Sequence, residues 1–434
     1  MARSQSGVRV CRGERQTGSK DHRHAERWAD PLSIGSSKVE CFHAGRSSDP
    51  AEAAKKRALI VGYLTYRSDA RVKNQVRVLT ENGYAVDVIC LDEDLEASGD
   101  MVNLLGIALP RYRGSSPLRY VYSYLGFFTK AAVAAARLSF HRRYNLAIAC
   151  NMPDFLVLSV LIPRLLGARI VLDVHDPLPE LYNVKFGRPN GSLGQRFLML
   201  EERVSAWLAH RVLATHDLHA RRLQAAGIPA RKLRVVLNAP NSGLFSYSHQ
   251  PLERPGKFRL VYHGTIAARH GLEIAFRAVH LLRHKIPEIE LLLIGRGDGL
   301  EDSKRLSRKL GLDSLIRFER PLPIEQLPPL LHDCSVGLVP PRNNAANQIM
   351  LPVKLMEFAM LGVPIAAARL DPITQYFDSN AIEFFAPDSA EDLAGAIARL
   401  YEHPERCASM AREANRTALG MCANWAQNYL EAVG

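Results

Sequence analysis

The chain has 434 residues, too many for one ordinary core, so two domains of about 180–200 residues are the natural division. Its 47% hydrophobic content is that of a globular protein, and a formal net charge of +12 gives a basic surface suited to nucleotides or an anionic membrane. No zinc-finger spacing, glycine-aromatic RNA-binding signature or basic helix running into heptads accompanies that charge, which argues against nucleic acid as a partner.

Seven cysteines, at positions 11, 41, 90, 150, 334, 407 and 422, are scattered, odd in number and lack C-x-x-C spacing. They point to a reducing compartment and away from a disulfide framework or a zinc site. Residues 1–30 lack the apolar run of a signal peptide. The best membrane-span candidate, Tyr120 to Phe140, is interrupted by Lys130 and Arg137 and flanked by Arg119 and His141. The expectation is a cytoplasmic enzyme, with the inner face of an anionic membrane as a candidate peripheral contact.

Residues 1–57 are rich in Arg, Ser, Gly, His and Asp without apolar periodicity and read as a disordered basic extension. From Ala58 strands and helices alternate. Strands are expected at 58–62, 85–91, 107–110, 146–150, 169–174, 211–214 and 233–237. Helices are expected to Glu81, to Phe140, and at 155–166, 193–210 and 218–226, with a loop after Val174. Residues 58–240 therefore read as one Rossmann-like domain, and the Pro-rich stretch 241–257 as a linker. A second alternating series fills 258–405: strands at 258–263, 290–294, 316–318, 335–340, near 365 and 382–385, with helices between them. The final stretch, 406–434, reads as a helix that crosses back to the first domain. The fold class is α/β: two Rossmann-like domains across a cleft, with ligands at the C-terminal strand ends.

Leu351-Pro-Val-Lys-Leu-Met-Glu-Phe-Ala-Met-Leu-Gly-Val-Pro364 organises the second domain. Pro352 suits a first helical position, Gly362 a left-handed stop, and Pro364 forbids continuation. The residues between are apolar almost all round, so the helix is buried. Lys354 and Glu357 are the exceptions and share one face. Buried charges need a partner or a ligand, and a helix N-terminus is itself an anion site. An internal Lys–Glu bridge is the competing reading, but that order is the weaker one on a helix.

Five other loops leave strand ends. His263-Gly-Thr-Ile-Ala-Ala-Arg-His-Gly271 carries Gly264 and Thr265, then Arg269 and His270; a glycine after a strand allows close approach to phosphate. Gly295-Arg-Gly-Asp-Gly299 is an ordinary turn or passes near a nucleotide. Leu172-Asp-Val-His-Asp-Pro-Leu-Pro-Glu180 places His175 at the ligand edge, with Asp176 beside it. Asp154 reads as a helix cap after Asn151-Met-Pro. Asp69 and Arg71, in Ser68-Asp-Ala-Arg71, are acceptor-contact candidates against an N-cap reading. Asp173, Asp176 and Glu180 lack metal-ligand spacing, so no metal or other cofactor is expected.

These stretches together resemble glycosyltransferase family 4. The resemblance rests on Gly-Thr-Ile-x-x-Arg-x-Gly-Leu-Glu at 264–273, Leu-Ile-Gly-x-Gly at 293–297 and Leu-Pro-x-Lys-Leu-x-Glu-Phe-x-x-Leu-Gly-x-Pro at 351–364. It implies a retaining enzyme of the GT-B fold that moves sugar from a nucleotide-sugar to a glycan or lipid-linked acceptor. It further implies that Glu357, the second glutamate of the family's Glu-x7-Glu motif, binds ribose. Pro352 and Val353 would face the diphosphate, and Arg269 would grip it. His175 would lie beside the reacting sugar, and the acceptor, with Asp69, Arg71, Asp154 and Asp176 as candidates, would sit on the first domain. The Asn-Met-Pro-Asp and His-Asp-Pro-x-Pro-Glu pieces look like a subgroup that makes surface polysaccharides. Three positions depart from the pattern. Ile349 stands where the first glutamate belongs, with Asn347 or Gln348 as substitutes; Thr265 and His270 replace the usual Arg and Lys. An epimerase of the same shape and a degenerate sugar-nucleotide-binding scaffold are the alternatives.

Overall fold

The computed structural model describes residues 56–92, 101–112, 114, 116–247 and 256–434. The expected extension 1–57, apart from its last two residues, and part of the expected linker lie outside them. The first half alternates β1 (Lys56–Gly62), α1 (Ala70–Glu81), β2 (Tyr84–Leu91), β3 (Val102–Ile107), α2 (Pro117–His141), β4 (Leu146–Cys150) and α3 (Leu161–Leu165). It continues with β5 (Arg169–Val174), α4 (Leu178–Phe186), α5 (Leu193–Leu208), β6 (Arg211–Ala214), α6 (Asp217–Ala225) and β7 (Leu233–Val235). The second half runs β8 (Phe258–Thr265), α7 (Leu272–Leu282), β9 (Ile289–Arg296), α8 (Leu300–Lys309), β10 (Ile316–Glu319), α9 (Leu327–His332) and β11 (Val336–Val339). It ends with α10 (Val353–Leu361), β12 (Ile365–Ala368), α11 (Asp371–Thr374), β13 (Glu383–Phe385), α12 (Ala390–Glu402), α13 (Pro404–Cys422) and α14 (Trp425–Val433).

The strands make two parallel sheets, ordered β3-β2-β1-β4-β5-β6-β7 and β10-β9-β8-β11-β12-β13. In each sheet the first strand is central and the winding reverses beside it, which opens a crevice at the C-terminal strand ends. The interior strands are apolar on both faces because helices cover both. Phe127, Ala131 and Ala135 of α2 pack on one face of the first sheet. Val72, Val76 and Leu79 of α1 pack on the other, together with Trp425, Tyr429 and Val433 of α14.

The terminal stretch is not the single helix the sequence suggests. It breaks at Ala423–Asn424, so α13 stays on the second sheet, where Ala414 and Ala418 meet Phe358 and Met360 of α10, and α14 turns to the first. Trp425 stacks on Tyr429 at 5.4 Å and donates its indole N–H to the Leu237 carbonyl at 2.6 Å. Other differences are local. The expected loop after Val174 holds α4, which Pro179 starts and left-handed Gly187 ends. The expected helix at 155–166 is a 3-10 stretch, Asp154–Val160, followed by short α3. The third strand lies at 102–107, ahead of the expected 107–110.

Trp425→Ala should cost about 3–5 kcal/mol, because it removes a large buried ring and leaves a cavity. Urea unfolding followed by circular dichroism checks this; a loss below about 1 kcal/mol would show that α14 adds little to the first sheet's core.

Candidate functional site

Four contacts tie segments that follow the strands of the two sheets together. Lys73 pairs with Glu325 at 2.9 Å and Lys185 with Asp298 at 2.7 Å. The Tyr376 hydroxyl donates to Asp217 Oδ2 at 3.0 Å, and His216 Nε2 donates to the Ile349 carbonyl at 3.1 Å. Lys185, His216 and Asp217 follow C-terminal strand ends of the first sheet, and Asp298 and Ile349 follow those of the second. The two crevices therefore share one cleft.

On the second sheet's side, α10 begins at Pro352 with no side-chain cap and ends at left-handed Gly362. Pro352 is thus the N-cap residue, one place earlier than the sequence suggests. Lys354 does not bridge Glu357. Its ammonium sits 3.6 Å above the Tyr262 ring, beside Gly264. Gly264 has φ of 112°, and a Cβ on Gly295 would lie 1.9 Å from the Gly264 carbonyl oxygen, so neither position accepts a side chain. Glu357 is buried, with Oε2 3.2 Å from His263 Nε2, a contact that lacks hydrogen-bond alignment.

Burial pushes Glu357 up to about 7 against the pull of Lys354. Burial brings Lys354 down to about 7; Glu357 works against this and Arg269 with it. Burial and Lys354 hold His263 neutral down to about 3, and burial, Lys354 and Arg269 hold His270 well below its ordinary value. Arg269 Nε is buried without a partner. Among the described residues the start of α10 has no side-chain cap, Lys354 no carboxylate bridge and Arg269 Nε no partner, so positive charge gathers there beside the Glu357 carboxylate.

Thr265 lies exposed at the end of β8. Asn347 and Gln348, the expected stand-ins for a first glutamate, are occupied elsewhere. The Asn347 amide donates to the carbonyls of Arg269 and Arg342, both at 2.8 Å, and Gln348 Nε2 donates to Asn343 at 2.9 Å. Asn347 instead bolts the Arg269 loop to the segment before α10.

On the first sheet's side, His175 sits at the end of β5. Its backbone N–H donates to Asn151 Oδ1 at 2.7 Å, and its Nε2 meets Asp173 Oδ2 at 2.9 Å. Asp173 is fully buried and takes two hydrogen bonds from Arg71, at 2.6 and 3.0 Å, and another from Gln75. Burial would raise the Asp173 pKa, but Arg71 and His175 outweigh it and hold it well below the carboxylate range. Burial works against the His175 imidazolium, yet Asp173 raises its pKa above the ordinary value. Arg71 is thereby corrected from acceptor contact to buried counter-ion, which also donates to the Val236 carbonyl at 3.0 Å. Asp154 is likewise buried rather than presented to an acceptor; burial, Glu201 and Glu202 raise its pKa well above the usual range. Asp69 caps α1 by accepting from Val72 N–H at 3.0 Å, and Asp176 stays partly exposed beside His175. Cys150, Asp173 and His175 lie close enough for a metal ion, but the Asp173 oxygens are spent on Arg71, Gln75 and His175, and burial keeps the Cys150 thiol protonated.

Two family models match this chain: a glycosyl transferase 4-like domain over residues 68–239 and glycosyl transferases group 1 over residues 257–403. The chain belongs to the family-4 type of glycosyltransferase. Its two parallel sheets have the GT-B arrangement of the family's solved relatives. The structure of Anabaena HepE in complex with UDP and glucose aligns with a TM-score of 0.63 at 16% identity, covering 87% of this chain and 98% of that one. A GDP-mannose-dependent phosphatidylinositol monomannoside mannosyltransferase of Mycolicibacterium smegmatis is 26% identical over 37% of this chain and 42% of its own length. The amylovoran biosynthesis glycosyltransferase of Erwinia amylovora is 25% identical over 44% of this chain and 47% of its own. The matched region thus spans less than half the length of these two curated relatives.

His216 is a site-shaping residue that the sequence does not single out, and Asn151, Asp173 and His263, named there only as parts of loops or as metal candidates, turn out to shape the site too. The Arg71–Asp173 pair also generates a stability test. Removing either partner, as Arg71→Ala or Asp173→Ala, should cost about 3–5 kcal/mol because an uncompensated charge stays buried. Thermal and urea unfolding of the two variants checks this; losses below about 1 kcal/mol would contradict the described pairing.

Proposed function

We propose that this glycosyltransferase moves a sugar from a nucleoside diphosphate sugar to a glycan or lipid-linked acceptor, with retention of anomeric configuration, in surface polysaccharide assembly. The observation that carries the proposal is the positive charge gathered at the start of α10 by Lys354, Arg269 and the uncapped helix end, beside a buried carboxylate and across the cleft from an imidazole. In this reading the diphosphate lies on the N–H groups of Val353 and Lys354, with Arg269 completing the clamp. Glu357 accepts hydrogen bonds from the ribose hydroxyls. Gly264, Thr265, His270 and Gly295 line the donor's path, and Pro352 fixes the helix entry.

The anomeric carbon breaks its bond to the diphosphate oxygen and bonds to the acceptor oxygen on the same face. The acceptor proton passes to the departing phosphate oxygen. Arg269 and Lys354 neutralise the charge that develops on the leaving group, and His175, oriented by Asp173 and Asn151, bonds a hydroxyl of the transferred sugar. No cofactor enters this reaction. Asp69 and Asp176 stay as acceptor-side candidates. A lipid-linked acceptor would be met at an anionic membrane surface. The GDP-mannose-dependent mannosyltransferase and the amylovoran glycosyltransferase support the donor and polysaccharide parts of this proposal.

Screening UDP-, GDP- and ADP-sugars by thermal shift and by transfer to lipid-extract acceptors tests the reaction class. Nuclear magnetic resonance of the product reads its anomeric configuration. Glu357→Ala should weaken donor binding at least about tenfold, the worth of a charge-assisted hydrogen bond. Product from donor alone would favour an epimerase, and binding without turnover a scaffold, which Ile349 and His270 would then explain.

Lys354 adds a pH signature. Its pKa near 7 leaves it largely neutral at about pH 8, while a bound diphosphate favours the ammonium, so binding should take up a proton. Affinity should therefore fall as pH rises above about 7. Calorimetry of UDP or GDP binding at about pH 8, where Glu357 is already largely ionised, in buffers of different ionisation heat measures the uptake; Lys354→Met should abolish it, and an unchanged uptake would contradict the assignment.

A further inference from the structure

The helices covering one face of the first sheet turn apolar side chains toward solvent as well as toward the core. On α5, Leu193, Phe197, Leu200, Val204 and Trp207 are 84, 68, 58, 49 and 74% exposed. Their spacing of four, three, four and three residues sets them in one stripe along the outer side of the helix. The inner side is a separate set: Gln195, Glu202, Ser205 and Ala206 are buried. On α2, Leu118, Tyr122, Leu125, Val133 and Phe140 are exposed along the side opposite Phe127, Ala131 and Ala135. The 3-10 stretch Asp154–Val160 packs against both helices, and Leu165, at the end of α3, is 79% exposed beside them. Single exposed apolar residues are ordinary; two neighbouring stripes are a surface.

The charge around these stripes has one sign. Residues 101–172 contain nine Arg and Lys and a single acidic residue, Asp154, which is buried. On α5, Arg196 and Arg203 are exposed, while Glu202 turns inward to Arg222 and the half-buried Glu201 accepts from the Ser205 hydroxyl with its other oxygen buried. A second copy of the chain would bring these like charges together, whereas an anionic lipid surface neutralises them. Among the described residues no helix is long and apolar enough to cross a membrane.

We propose that the outer face formed by α2 and α5 is a docking surface for an anionic phospholipid bilayer, lying in the interface plane with its apolar stripes among the acyl chains and its arginines at the headgroups. The choice of a membrane over another apolar partner agrees with the lipid-linked acceptor of the sugar-transfer reading, but docking is measured without donor or acceptor, so the two proposals fail separately.

The full chain is sedimented with vesicles of phosphatidylcholine alone and of phosphatidylcholine mixed with phosphatidylglycerol, at roughly 0.15 M salt. The expected result is at least tenfold stronger partitioning onto the mixed vesicles. Phe197→Ser/Trp207→Ser should lose that partitioning at least tenfold while unfolding at an unchanged or higher temperature, since both side chains face solvent. Arg137→Glu/Arg196→Glu should lose it as well. Equal binding of parent and Phe197→Ser/Trp207→Ser protein would overturn the proposal. So would a concentration-dependent dimer, seen by sedimentation velocity, that the same double substitution dissolves without any vesicle binding by the parent; that result assigns the face to a second copy.

Discussion

The site depends on two charges placed on a buried helix where they do not neutralise one another. Lys354 and Glu357 are three residues apart on α10, close enough to pair, yet the ammonium lies over Tyr262 and the carboxylate beside His263. Burial makes both charged forms costly, and brings each group to about 7. Such an arrangement is poor for stability in isolation and well suited to a ligand that carries its own negative charge and hydroxyl groups. The surrounding structure serves this placement. Gly264 and Gly295 let two strand ends approach without side chains, and Asn347 fixes the Arg269 loop against the segment that leads into α10.

The opposite wall obeys the other rule for buried charge. Asp173 is saturated by Arg71, Gln75 and His175, so it is a rigid support and not a binding group. Its effect on the cleft passes through His175, whose ring it orients and whose cationic form it favours. One wall is thus finished and stiff, and the other holds unpaired charge. The contacts from His216 to Ile349 and from Asp217 to Tyr376 hold the two walls face to face. The Ile349 carbonyl serves as the clasp.

Much of the frame was legible because it rests on local rules. Pro352 and Gly362 mark the ends of α10 whatever surrounds them, and strand–loop–helix alternation with apolar strands implies parallel sheets. The cleft's long-range pairings were not legible. Arg71 meets Asp173 across 102 positions and His216 meets Ile349 across 133, and no local pattern announces either. Without them Arg71 looks like a ligand contact at a strand exit; with them it is a counter-ion. Asp154 misleads for the same reason, since its neighbours Glu201 and Glu202 come from a distant helix. The break at Ala423–Asn424 was hidden because both halves have good helical periodicity and only the position of the first sheet decides where the second half packs.

The most direct measurement of the central claim is a crystal structure of the protein with a nucleoside diphosphate, UDP or GDP, bound. The account predicts diphosphate oxygens on the N–H groups of Val353 and Lys354, within reach of Arg269, and ribose hydroxyls on Glu357. A nucleotide bound away from the start of α10, or one whose ribose leaves Glu357 untouched, would contradict it.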